Sequence, residues 1–150
     1  MIVRAAIEIQ RKRCLAVLLV LFTAASPVRA DQDNVRCLRS IGVEPLQRLQ
    51  FGLRANSDSS AYALYQGSPG PIPLKLLKVT ELRRVEGGRP SEFETQWMEV
   101  TAPASAGRFV YTNQGALIDD FHYIDNDGRI VRFVDDADVL EVGRCSWAPP

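Results

Sequence analysis

Beyond residue 30, apolar and polar residues alternate with a period of two more than they repeat at the helical 3.6, the pattern of strands with one buried face. Leu49, Phe51 and Leu53 share one face, while Arg48, Gln50 and Arg54 take the other. Residues 61–66 form a short apolar run with two tyrosines, followed by a turn-rich stretch of glycine, serine and proline over 67–73. The segment 74–85 fits either period. Leu77, Val79 and Val85 fall on one strand face, whereas a helix would bury Leu74, Leu77 and Leu82; its β-branched residues and the flanking prolines and glycines favour strand.

After a break at 86–90, Phe93, Thr95 and Trp97 alternate with Glu94, Gln96 and Met98. A loop of small residues over 102–107 precedes Phe109 and Tyr111, and Asn113-Gln114-Gly115 ends that strand. Strands are expected over 117–124 and 129–134, joined by Asp125-Asn126-Asp127-Gly128, the clearest hairpin turn in the chain because these residues tolerate positive φ. A last short strand is expected over 138–144. Six to eight short strands at regular spacing, with no convincing long helix, predict an all-β fold: a small antiparallel barrel or sandwich.

Composition adds the compartment. The 150 residues are 46% hydrophobic and 24% charged with a formal net charge of zero, which excludes disorder, collagen and coiled coil. The first thirty residues differ from the rest. Arg4, Arg11, Lys12, Arg13 and Arg29 stand there against Glu8, so the remainder holds 13 basic and 17 acidic residues. Residues 14–25 are apolar, Pro27 follows, and Val28-Arg29-Ala30 offers a cleavage site. That is the three-part pattern of an export signal, too short for the roughly 20 apolar residues of a membrane span. The reading is therefore a signal peptide over 1–30 and one exported domain over 31–150, with no membrane span after cleavage. Arginine outnumbers lysine fifteen to three, a bias that fits a GC-rich bacterial genome and hence a periplasm. A mildly acidic domain lacks the basic footprint of a nucleic-acid binder.

Without the first thirty residues, Cys37 and Cys145 remain, an even pair that reads as a disulfide in an exported chain. Such a bond is expected to tie the first strand to the last and close the domain at its open edge. There is no CxxC, and one histidine is too few for a usual metal set.

Candidate chemistry is sparse. His122, the only histidine, lies two residues from Asp120 on one strand face, so an acid–base pair is geometrically available, but no nucleophile motif accompanies it. The aspartates near 119–138 fail the EF-hand pattern: with Gly128 as the glycine, Tyr123 falls on the first ligand position and Val134 on the last. The glycine loops precede no helix and offer no phosphate cradle. No catalytic constellation, metal set or cofactor is expected. Tyr62, Tyr65 and Trp97, with Tyr111 and Trp147, are candidates for an aromatic binding surface, although a small β-domain also needs such residues in its core. Trp147, two residues beyond Cys145, is expected to pack over the disulfide.

Ser105-Ala106-Gly107-Arg108-Phe109 is loosely similar to a loop of the periplasmic inhibitors of c-type lysozyme, which are small, exported, disulfide-bearing β-barrels. The loop here is two residues short, and Tyr111 to Gly115 stands where that family has a tryptophan-lysine-glycine element. The resemblance would make Ser105, Gly107 and Arg108 an interaction loop entering a partner's cleft. The expectation is a non-enzymatic binding module whose partner is an envelope protein or a small ligand; inhibition of a lysozyme-like hydrolase and carriage of a small ligand are its alternatives.

Overall fold

The alternating segments pair each with its neighbour in sequence, and the last returns to the first. The computed structural model describes residues 32–100 and 106–147; the expected export segment and Ser105 lie outside them. Eight antiparallel strands, β1 (Asn34–Ile41), β2 (Arg48–Leu53), β3 (Ser60–Tyr65), β4 (Ile72–Arg83), β5 (Glu92–Glu99), β6 (Arg108–Gln114), β7 (Leu117–Ile124) and β8 (Ile130–Asp135), form a closed barrel in chain order. Closure is made by the β1–β8 ladder, from Leu38 opposite Asp135 to Ile41 opposite Arg132.

Because side chains alternate across a strand, one parity of each strand faces the lumen. Leu38, Leu49, Phe51, Trp97, Phe109 and Phe121 meet there in one apolar cluster. Phe51 is its hub: the rings of Phe121, Tyr111, Phe109 and Trp97 stand 5.1, 6.0, 6.2 and 6.3 Å from it, at tilted or edge-on angles that suit aromatic quadrupoles. Opposite Phe51 on β3 stands Ala63, fully buried. A small residue there leaves the width of the lumen to the ring.

The end of the barrel at residues 42–47, 66–71 and 125–129 is plugged. Tyr123 lays its hydroxyl and ring edge where a side chain on Gly107 would go. Its hydroxyl bonds the Glu99 carboxylate, which also accepts the Gly107 N–H at 2.9 Å. Burial first, then the Glu99 charge, push the Tyr123 phenol up to about 12. Tyr65 beside it is raised further, by burial and then by Tyr123 and Glu99. The folded protein thus keeps protons that the unfolded chain releases near its ordinary value of 10.0. The stability these two phenols contribute is therefore full below pH 10 and is lost as pH rises toward 12. Urea midpoints between pH 9 and 11 should drop in the wild type and drop less in a Tyr65→Phe, Tyr123→Phe protein. Equal drops in both would refute the assignment.

Two features differ from the sequence pattern. In β4, bulges between Leu76 and Lys78 and between Glu81 and Arg83 break the alternation. Leu76 and Val79 therefore share the lumen side, and Leu77 does not group with Val79 as expected. The expected last strand at 138–144 is no barrel strand: Ala137–Val139 is a 3-10 turn, and β9 (Leu140–Glu141) with β10 (Arg144–Cys145) makes a separate small hairpin.

That C-terminal segment forms a strap across the outer face of β1. Cys37 and Cys145 are bonded, and with Val35, Val139 and Trp147 they make a second apolar cluster, so Trp147 packs as anticipated. The bond ties β1 to the last short strand, β10, as expected, and pins the strap; the closure also expected of it is made instead by the β1–β8 ladder. The strap also buries Gln50 on the polar parity of β2. Gln50 Oε1 accepts the Cys145 N–H at 2.8 Å, and Gln50 Nε2 donates to the Tyr62 hydroxyl at 2.9 Å. The Tyr62 ring lies over Gly52, where no side chain could stand, and carries the Arg54 guanidinium 4.4 Å above it.

Candidate functional site

The opposite end of the barrel is open. At the start of β1, Asn34 and Arg36 lie opposite Leu53 and Phe51 and so share the lumen parity. On β6, Tyr111 and Asn113 do the same, and Ile118 of β7 stands opposite Asn113 across a bulge. These side chains, with the turn at Gly115 and Ala116, line a cavity of about 310 Å³ whose floor is the Phe51 and Tyr111 rings. An eight-stranded barrel is wide enough to be filled by side chains or to hold one small ligand; here the apolar cluster fills the middle and the space lies at the open end. Leu53 and Tyr111 also line an adjoining hollow of about 250 Å³ against Leu76, Val79 and Trp97. There β4 runs on past its pairing with β3, which covers Ile72 to Lys75.

A seam opens beside this mouth. β7 pairs with β8 only from Phe121 to Ile124, which leaves its first residues without that neighbour. The gap holds about 230 Å³ lined by Leu38, Ile118, Asp119, Asp120 and Asp135 among others. Arg36 bridges toward it: its Nε donates to Asp135 Oδ1 at 3.1 Å and its Nη2 donates to Asp135 Oδ2. The pair is partly wet, with 25% of the Arg36 side chain and 49% of the Asp135 side chain exposed. Its worth lies in fixing the guanidinium plane more than in stability.

The residues singled out from the sequence do not assemble into one site. Trp97 is 3% exposed in the core and Tyr62 is 8% exposed between Gly52 and Arg54, so neither is a surface aromatic; Tyr65 belongs to the plugged end. The physical reason is closure, which turns one parity inward, and the strap, which covers part of the other. Gly107 is buried under Tyr123 and does not project, whereas Arg108 is exposed at the start of β6. His122 and Asp120 do share the outer face: Nδ1 and Oδ2 are 3.1 Å apart, but at an angle that leaves Nδ1 without a hydrogen bond. Asp120 accepts instead from Arg132 at 3.0 Å. His122 lies outside the linings of mouth and seam. Among the described residues no group of three His, Cys, Asp or Glu could hold a metal ion, and no helix is long and apolar enough to cross a membrane.

The turn at 125–128 is held by local chemistry. Asp125 accepts from the Asp127 and Arg129 N–H groups at 2.9 Å each, and these bonds, the Arg129 N–H foremost, hold its carboxyl below the usual range.

No protein family, curated protein or solved structure matches this chain. The mouth must be judged on its own chemistry. Sequence reasoning missed it, although one signal was present: polar Asn34 and Arg36 occupy the parity of Leu38, and Asn113 that of Phe109 and Tyr111.

Proposed function

We propose that this protein is a non-enzymatic binding protein of the cell envelope or exterior, and that the open mouth of its barrel takes up one small molecule with an apolar body. The observation that carries the reading is the mouth itself: a cavity with the buried Phe51 and Tyr111 rings at its floor and half-buried Leu53 and Ile118 on its walls, ringed by Asn34, Arg36 and Asn113. Binding sites for small molecules combine such an apolar lining with a few placed polar groups, and about 310 Å³ stands at the small end of their range. Export is supported by the pattern of residues 1–30 and by a disulfide, which persists in oxidising compartments.

The test uses N-phenyl-1-naphthylamine, a neutral dye that brightens in apolar sites. Wild-type protein is expected to bind it, and Ile118→Trp, which fills the mouth from β7, to bind it at least roughly tenfold more weakly, a difference of about 1.4 kcal/mol. Arg108→Ala, at the far end of β6, serves as the control and should bind like the wild type. Equal binding by wild type and Ile118→Trp would overturn the assignment.

A further inference from the structure

The polar groups of the mouth are specific about what they can hold. Among the described residues, Arg36 is the one charged side chain in the lining of the main cavity, and a guanidinium only donates. Asn34 adds an amide donor, Asn113 keeps one N–H beyond the bond its Nδ2 donates to the Gly115 carbonyl at 3.0 Å, and among the described residues no carboxylate lines that cavity. Asp135 lines the seam and the outer hollow beside Asn34 and Cys37 but not the mouth. It engages Nε and one hydrogen of Nη2, which leaves the guanidinium its remaining N–H groups. Asp135 thus positions Arg36 from behind while the ligand side stays free to donate.

We infer that the ligand is a small organic monocarboxylate, its carboxylate received by Arg36 and the neighbouring amides and its body resting on Phe51, Tyr111 and Ile118. This rests on the mouth being a ligand site. Three features define the class. A charge-assisted bond to the guanidinium is stronger than one to a neutral acceptor, so an acid is preferred to its amide. A second negative charge is disfavoured, because Asp119, Asp120 and Asp135 line the adjoining seam and like charges repel across a partly desolvated gap. The phosphate esters of the same body should therefore bind less well. The body is short, because Phe51 closes the floor and stands at the hub of the core. A compact body of one to three rings fits a cavity of about 310 Å³, the dye's included; a long acyl chain has nowhere to go.

The experiment is displacement of N-phenyl-1-naphthylamine by three compounds with one body: 3-phenylpropionate, 3-phenylpropanamide and 3-phenylpropyl phosphate. The acid is expected to displace the dye at roughly tenfold lower concentration than the amide, in line with the extra strength of a charge-assisted bond. The phosphate should fall behind the acid. Arg36→Met should abolish the preference for the acid while the dye still binds, with Arg36→Lys as a second variant that keeps the charge and loses the fork, giving an intermediate preference. Asp135→Asn should narrow the gap between acid and phosphate. An amide that competes as well as the acid, or a preference that survives in Arg36→Met, overturns the ligand class while dye binding leaves the mouth standing. Loss of discrimination between wild type and Ile118→Trp for the dye itself overturns the mouth, and the ligand class with it.

Discussion

Phe51→Ala is expected to cost about 3–5 kcal/mol of folding free energy, the range for deleting a buried phenyl ring where neighbours cannot collapse into the space. Collapse is hindered here by geometry. Phe51 touches rings from β5, β6 and β7 at once, and each is held by its own strand ladder. Its facing residue, Ala63, has no atoms with which to fill the void. The ring also forms part of the floor of the mouth, so its removal opens the lumen toward solvent, and water entering from that side would meet an apolar wall. Urea denaturation is the measurement, with the midpoint falling and the slope nearly constant. A loss below about 1 kcal/mol would show that the cluster is not the stabilising centre of the barrel.

Replacing Cys37 and Cys145 together by alanine should cost about 2–5 kcal/mol, the range for removing a native disulfide from a small exported domain. The bond spans 108 positions, and constraining so large a loop in the unfolded chain is the main source of that stabilisation in the chain-entropy account. What should distinguish this variant is where the damage falls. The β1–β8 ladder closes the barrel without the bond, so far-ultraviolet circular dichroism should remain that of a β-protein. The strap, by contrast, keeps the Gln50 bond, the Asp136 N–H bond to the Cys37 carbonyl at its start, and the Val139 and Trp147 contacts. Amide exchange at residues 144–147 should accelerate well beyond that of β1 and β8. Exchange rising equally in all three would mean that strap and barrel unfold as one unit.

How much of this was legible depended on whether one strand or several decided it. The parities of Leu49, Phe51 and Leu53 and of Phe93, Thr95 and Trp97 follow from a single segment each, and the turn at 125–128 from its own side chains, so the all-β reading and the strands around them were accessible. The β4 bulges were not, because they are set by register against β5 and leave no mark on β4 alone. Residues 138–144 carry apolar Val139 and Leu140 beside charged neighbours and mimic a strand; their fate as a strap depends on where Cys37 stands. Gln50 looked like solvent-facing polarity because nothing local announces a covering segment. The mouth drew on β1, β2, β6 and β7 together, and no sequence motif joins positions that only closure makes neighbours. His122 and Asp120, adjacent by parity, could be paired from sequence, and they do lie together.

The ladder order has a kinetic side. Every pairing except one joins consecutive strands, so most of the barrel can grow hairpin by hairpin with short loops to close. Only β1 with β8 requires the two ends of the domain to find each other, and that pairing closes the longest loop in the barrel. The cysteines span the same separation, and in the folded protein their bond joins β1 to the strap on the barrel's outer face. Once formed, the bond keeps the chain's ends together whether or not the ladder is paired, and so acts against the reverse step of opening.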